Sequence, residues 1–93
     1  MTRVPTLVTI SSEVLFQELA GETVLLNIAN EQYYGFDDVG TRIWQLLNKH
    51  GGETELVISQ MLAEYDVDEA LLRTDMANLM AKLADAGLIT TEQ

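Results

Sequence analysis

The sequence predicts an α+β domain in which a three-stranded antiparallel sheet is followed by three helices. Three observations lead there. Apolar residues alternate at strand period up to Phe36, recur at helical spacing from Asp38 onward, and that helical pattern stops at Gly51-Gly52 and again at Gly87.

Leu7 to Ile10 and Glu13 to Leu19 read as extended, the second with Val14 and Phe16 on one face and Leu15 and Gln17 on the other. A turn at Ala20-Gly21 reverses the chain. Glu22 to Ile28 alternates again, which sets Val24, Leu26 and Ile28 inward and Thr23, Leu25 and Asn27 on the second face. Asn30-Glu31 then turns the chain into Gln32-Tyr33-Tyr34-Gly35-Phe36, an aromatic run with strand character. The three later segments form a meander whose last strand is an edge. Tyr33 and Tyr34 point to opposite sides of it, and Tyr34, which shares a face with Phe36, is the expected core member.

Asp37 is placed to cap the first helix by accepting from its free N–H groups, and Val39, Ile43, Leu46 and Leu47 form its buried stripe. Gly40 lets that helix approach the sheet closely. After Gly51-Gly52, Thr54 can cap a second helix carrying Ile58, Met61, Leu62 and Tyr65 and ending near Asp66. Asp68 caps a third, which runs to about Ala86 and ends on Gly87 in a left-handed conformation, with Leu88 folding back. Its core stripe is Leu72, Met76, Leu79 and Leu83. Arg73, Ala77, Met80 and Ala84 lie roughly 100° round the helix, a set suited to the wall of a shallow groove.

The chain of 93 residues allows one domain, 1–93, and a hydrophobic fraction of 47% is enough for its core. No cysteine is present, so no disulfide framework, thiolate metal site or cysteine nucleophile exists. The N-terminus Met1-Thr2-Arg3-Val4-Pro5 has no signal-peptide pattern, and no apolar run approaches the roughly 18 residues of a membrane span. A soluble cytoplasmic protein is expected. With 15 acidic and 5 basic residues the net charge is −10, which argues against a nucleic-acid partner, since phosphate contact needs clustered Lys and Arg.

Few constellations offer chemistry. Glu64, Asp66, Asp68 and Glu69 lack the glycine and distal glutamate of a calcium loop and sit where one helix stops and the next starts, as capping and solvation require. His50, the only histidine, stands at a helix C-terminus with no residue to complete a nucleophile and base pair. Trp44 reads as a partly buried core residue rather than a ligand platform, Met61 and Met76 read as core, and Met80 as an adaptable contact. No phosphate loop and no metal-ligand spacing occurs, so neither a cofactor nor a metal is expected.

The ordered set Leu25 to Asn27, Tyr33-Tyr34-Gly35-Phe36, Asp37 to Gly40, Ile43-Trp44, Leu56-Val57, Tyr65-Asp66-Val67, Arg73, Asp75, Leu79, Leu83 and Gly87-Leu88 resembles the PqqD-like family of peptide chaperones. The resemblance covers about residues 12–90. It implies a winged helix-turn-helix-like fold and a non-catalytic protein that binds the leader segment of a ribosomally made precursor peptide. The leader is expected to add as a strand at Gln32, Tyr33, Tyr34 and Gly35 and to pack in a groove at Arg73, Met76, Ala77 and Met80. Asp75 matches an acidic position of the family, where it either pairs with a basic leader residue or solvates the helix. Phe36 and Asp37 replace the family's usual Leu and Asn, keeping an inward apolar residue and a cap.

The resemblance further implies a partner enzyme that modifies the peptide, either a radical SAM enzyme or a protease with a cyclase. Strand pairing tolerates many sequences, so side-chain pockets must supply specificity, and micromolar binding needs only about −8 kcal/mol. An edge strand also allows homodimers that would compete with the leader. Two alternatives belong to other classes. A winged-helix transcription regulator needs a basic recognition helix, whereas the third helix sets Arg73 and Lys82 against Glu69, Asp75 and Asp85. A structural subunit of an enzyme complex would bind the enzyme and no peptide.

Overall fold

The computed structural model describes residues 4–20 and 22–92. In chain order the elements are β1 (Leu7–Ile10), β2 (Val14–Leu19), β3 (Glu22–Asn27), β4 (Gln32–Phe36), α1 (Asp38–Lys49), α2 (Thr54–Glu64), α3 (Glu69–Asp85) and β5 (Ile89–Glu92). The expected meander is present as the antiparallel order β2-β3-β4. Met1 to Arg3 and the Gly21 half of the expected turn lie outside the described residues. Ala20, the other half, takes a left-handed conformation at φ 53.

Two features go beyond or against the sequence reading of the strands. β1, outside the meander, pairs with β5, a strand that the sequence reading does not include, in the register Leu7↔Glu92 to Ile10↔Ile89. The four residues Ile-Thr-Thr-Glu are too short and too polar to announce a strand, and it is pairing with β1, 79 to 85 positions away, that places them in a sheet. The inward face of β3 is also the reverse of the expected one: Thr23, Leu25 and Asn27 are buried, while Val24 and Leu26 are half-buried and Ile28 is exposed. Both faces of this segment carry aliphatic residues, so alternation defines two faces without saying which one the helices cover. Asn27 is buried because it serves the end of α3, its Nδ2 donating to the Ala86 carbonyl at 3.0 Å and its Oδ1 accepting from Ala29 N–H.

α1 packs on the covered face through Ile43, Trp44, Leu46 and Leu47, all buried. Asp37 caps it as expected, accepting from Gly40 N–H at 2.9 Å. Trp44 is fully inside rather than partly buried, its ring tilted 47° against that of Phe36 with centroids 6.0 Å apart. Thr54 does not cap α2. Glu53 occupies the cap position, and the buried Thr54 hydroxyl instead donates to the carbonyls of Pro5 and Thr6, fastening the start of α2 to the segment before β1. Gly52 makes this junction possible: at φ +83 it approaches β1 so closely that a Cβ would overlap the Val8 carbonyl.

α3 begins on Asp68, which accepts from Leu71 N–H, and ends as the sequence predicts. Gly87 at φ +76 sends its N–H to Ala84, Leu88 sends its N–H to Leu83, and the Leu88 side chain is buried, a complete Schellman ending. The core joins Leu72, Met76, Met80 and Leu83 of α3 to Val57, Ile58 and Met61 of α2 and to the buried residues of α1.

Candidate functional site

β4 pairs with β3 along one edge, from Thr23↔Phe36 to Asn27↔Gln32, and its other edge has no partner strand among the described residues. In an antiparallel sheet alternate residues of such a strand turn both N–H and C=O outward, leaving a template for another chain. Gln32 begins that strand with its N–H already taken by Asn30 Oδ1 at 3.0 Å, so the open donors lie from Tyr33 onward.

Beside this edge lies a surface cavity of about 340 Å³. One side is Gly35 and Phe36 of β4, another is Val39, Gly40 and Ile43 of α1, and the third is Asp75 and Leu79 of α3. Gly40 brings the walls together, because a Cβ there would stand 3.1 Å from that of Phe36. Val39, expected to be buried, is 45% exposed and lines this cleft. The lining is otherwise apolar, with two exposed carboxylates, Asp37 and Asp75, at the rim, and no Lys or Arg lines it.

The expected site residues divide accordingly. Tyr33, Tyr34 and Gly35 lie on the open strand, with Tyr34 half-buried and Tyr33 71% exposed on the opposite face. Asp75 stands at the cleft, exposed and without an ion-pair partner among the described residues. Ala77 and Met80, expected on the groove wall, are instead buried in the core; Met76, which helical spacing set in the core stripe and the resemblance set in the groove, is buried too, and the adjacent Leu79 reaches the cavity. Leu72, Met76 and Leu83 of the expected core stripe are buried, and the buried side widens to Ala77 and Met80 while Leu79 turns to the cavity, since the apolar side is broad enough to fit more than one stripe.

Arg73 is not brought to the cleft. Two residues advance a helix by roughly 200°, so Arg73 and Asp75 leave α3 on nearly opposite sides. The Arg73 guanidinium faces α2, where it donates to both Glu55 oxygens at 2.8 Å and to Glu69 at 3.0 Å. Those bonds, from Glu55 first and Glu69 second, raise Arg73 above its ordinary pKa, and Arg73 in turn lowers Glu55. The acidic cluster between α2 and α3 is similarly engaged, with Asp68 as cap, Glu69 on Arg73 and Glu64 on Arg42. His50 is the C-cap of α1 and shares a 2.8 Å hydrogen bond with Gln60. Val39 and Leu79 are cleft residues that sequence reasoning assigned to the core, and Ile43, buried as expected, lines the cavity as well; apolar periodicity is the same in either role.

This is an α+β domain with an open strand edge set beside an apolar cleft. The family described as coenzyme PQQ synthesis protein D matches residues 22–89, and the chain belongs to this PqqD family. Among solved structures it is similar to TbiB1 in complex with the TbiA(beta) leader peptide, with 34% identity, a TM-score of 0.81, and coverage of 87% of this chain and 93% of that one. A lasso peptide synthetase B1 complexed with its leader peptide shares the fold at a TM-score of 0.78, with 23% identity over 89% of this chain and 96% of that one. No curated protein compared with the chain matches it. Among the described residues no helix is long and apolar enough to cross a membrane, and no cluster of His, Asp or Glu is arranged to hold a metal ion.

Proposed function

We propose that this protein recognises the leader segment of a ribosomally synthesised precursor peptide and presents it to a separate modifying enzyme. The observation that carries this reading is the unpaired edge of β4 running beside the cleft between α1 and α3. A leader added antiparallel to β4 gains main-chain hydrogen bonds at Tyr33 and Gly35, the residues whose N–H and C=O turn away from β3, and alternate side chains of that leader drop toward Val39, Ile43 and Leu79. Asp75 at the rim selects a basic leader residue. Support comes from the 34% identical relative, a protein captured with a leader peptide. The chain itself supplies binding and orientation, the chemistry belonging to a radical SAM enzyme or to a protease with a cyclase, and the cytoplasm, where the precursor is synthesised, is the place of action.

The test is a titration of isotope-labelled protein with the synthetic leader of the precursor encoded nearest its gene, followed amide by amide. Saturable shifts are expected at Tyr33 to Phe36 and around Val39, Asp75 and Leu79. N-methylation of successive leader amides separates strand addition from side-chain docking, because only every second N–H faces β4 and only those methyl groups should abolish binding. Absence of shifts at high micromolar peptide rejects this peptide as ligand, and uniform tolerance of N-methylation rejects strand addition.

A further inference from the structure

A second surface lies on the other side of the sheet. The pairings Leu15↔Leu26 and Leu26↔Tyr33 set these three side chains in a row across β2, β3 and β4, on the face opposite the one that buries Leu25. No helix among the described residues covers them. Leu15 is 56% and Tyr33 71% exposed, and with Val24 and Leu26 they border a shallow depression of about 410 Å³. Phe16, also 56% exposed, extends the apolar surface round the free edge of β2. A sheet face turned to water ordinarily carries polar residues, and contiguous apolar side chains on it mark a contact surface.

The charges around this face have one sign. Strand alternation continues it to Glu13, whose carbonyl accepts from Ile28 N–H, at one end and to Glu22 at the other. Every charged residue among described positions 4–36 is a glutamate.

We propose that this face docks the separate modifying enzyme, through an enzyme surface with an apolar centre and a Lys/Arg rim; the proposal rests on the peptide-delivery reading and names the surface that delivery uses. Charge selects this occupant. Two copies of a chain with net charge −10 would bring glutamates against glutamates on this face, and an anionic membrane would be repelled in the same way. Geometry suits delivery as well, because the patch is centred on β2 and β3 and leaves the backbone edge of β4 open. Leader and enzyme are then held at the same time, and the partner's local concentration at the peptide rises without competition for the cleft.

The experiment measures binding of the purified modifying enzyme encoded beside this chain by calorimetry, with leader affinity measured on the same samples. Leu15→Glu is expected to weaken enzyme binding by about tenfold or more and to leave leader affinity and the amide spectrum of the helices unchanged. The paired reversal Glu13→Lys with Glu22→Lys is expected to weaken enzyme binding and flatten its salt dependence. Enzyme affinity preserved in both variants overturns the proposal, as does a wild-type chain that binds no enzyme with or without leader. A wild-type dimer in sedimentation that Leu15→Glu dissolves assigns the face to a second copy and overturns it too. A chain that binds enzyme through Leu15 and yet takes no leader rejects the peptide-delivery reading while leaving this surface standing.

Discussion

Asn27 and Ala86, 59 positions apart, are joined by a 3.0 Å hydrogen bond from the Asn27 amide to the carbonyl at the end of α3. The other end of the same side chain accepts from Ala29 N–H, so one buried residue holds the β3–β4 turn and the α3 terminus together. Asn27→Ala leaves the Ala29 donor and the Ala86 acceptor without this partner and should lower stability by about 1–3 kcal/mol in urea unfolding. Asn27→Asp keeps an acceptor for Ala29 but sets a buried carboxylate against a carbonyl, and should cost more. Equal stability of wild type and Asn27→Ala would show the link to be dispensable.

Gly52 carries a second long-range junction. Its carbonyl accepts from Val8 N–H at 2.9 Å, and its φ of +83 leaves no room for a Cβ beside the Val8 carbonyl. Left-handed backbone alone costs a residue with a side chain roughly 1–2 kcal/mol, and the overlap adds to it, so Gly52→Ala should destabilise by at least about 2 kcal/mol. Hydrogen exchange locates the damage: the Val8 amide should lose protection before the amides of α1 do. Unchanged protection at Val8 would contradict the junction.

Acid should weaken the α1–α2 contact. Arg42 donates to Glu64 at 2.6 and 2.7 Å, and this pairing, helped by Gln60, lowers the carboxyl from 4.5 to about 2. A carboxyl depressed on folding stabilises the native state above its unfolded pKa, and that contribution fades as pH falls through 4.5 toward about 2. The melting temperature of wild type should therefore exceed that of Glu64→Gln near neutrality by a modest margin, since both partners are about one-third exposed, and the two should converge at the acid end. A gap that widens on acidification would reverse the assignment.

The meander, the three helices, the Asp37 and Asp68 caps and the Gly87 ending were legible because each depends on residues within a few positions of one another. The β1–β5 pair, the Thr54 contacts with Pro5 and Thr6, and the buried face of β3 were not, because each is decided by a partner distant in sequence. The candidate site was legible to the same depth. An edge strand follows from being last in a meander, whereas the side of α3 that meets it depends on how α3 packs against α2, where Arg73 and Glu55 are paired.

That difference can be measured at the cleft. Val39 is 45% exposed on the wall of the cavity, so Val39→Asp should fold normally and bind leader about tenfold more weakly, by placing a charge where the proposed binding mode seats an apolar leader side chain. Arg73→Ala removes the residue that sequence placed in the groove and structure places against α2, and it should leave leader affinity unchanged while costing at most about 1 kcal/mol of stability. The opposite ranking, with Arg73→Ala the more damaging to leader binding, would mean that the peptide enters along the α2 side of α3 and that the cavity beside Val39 is not its seat.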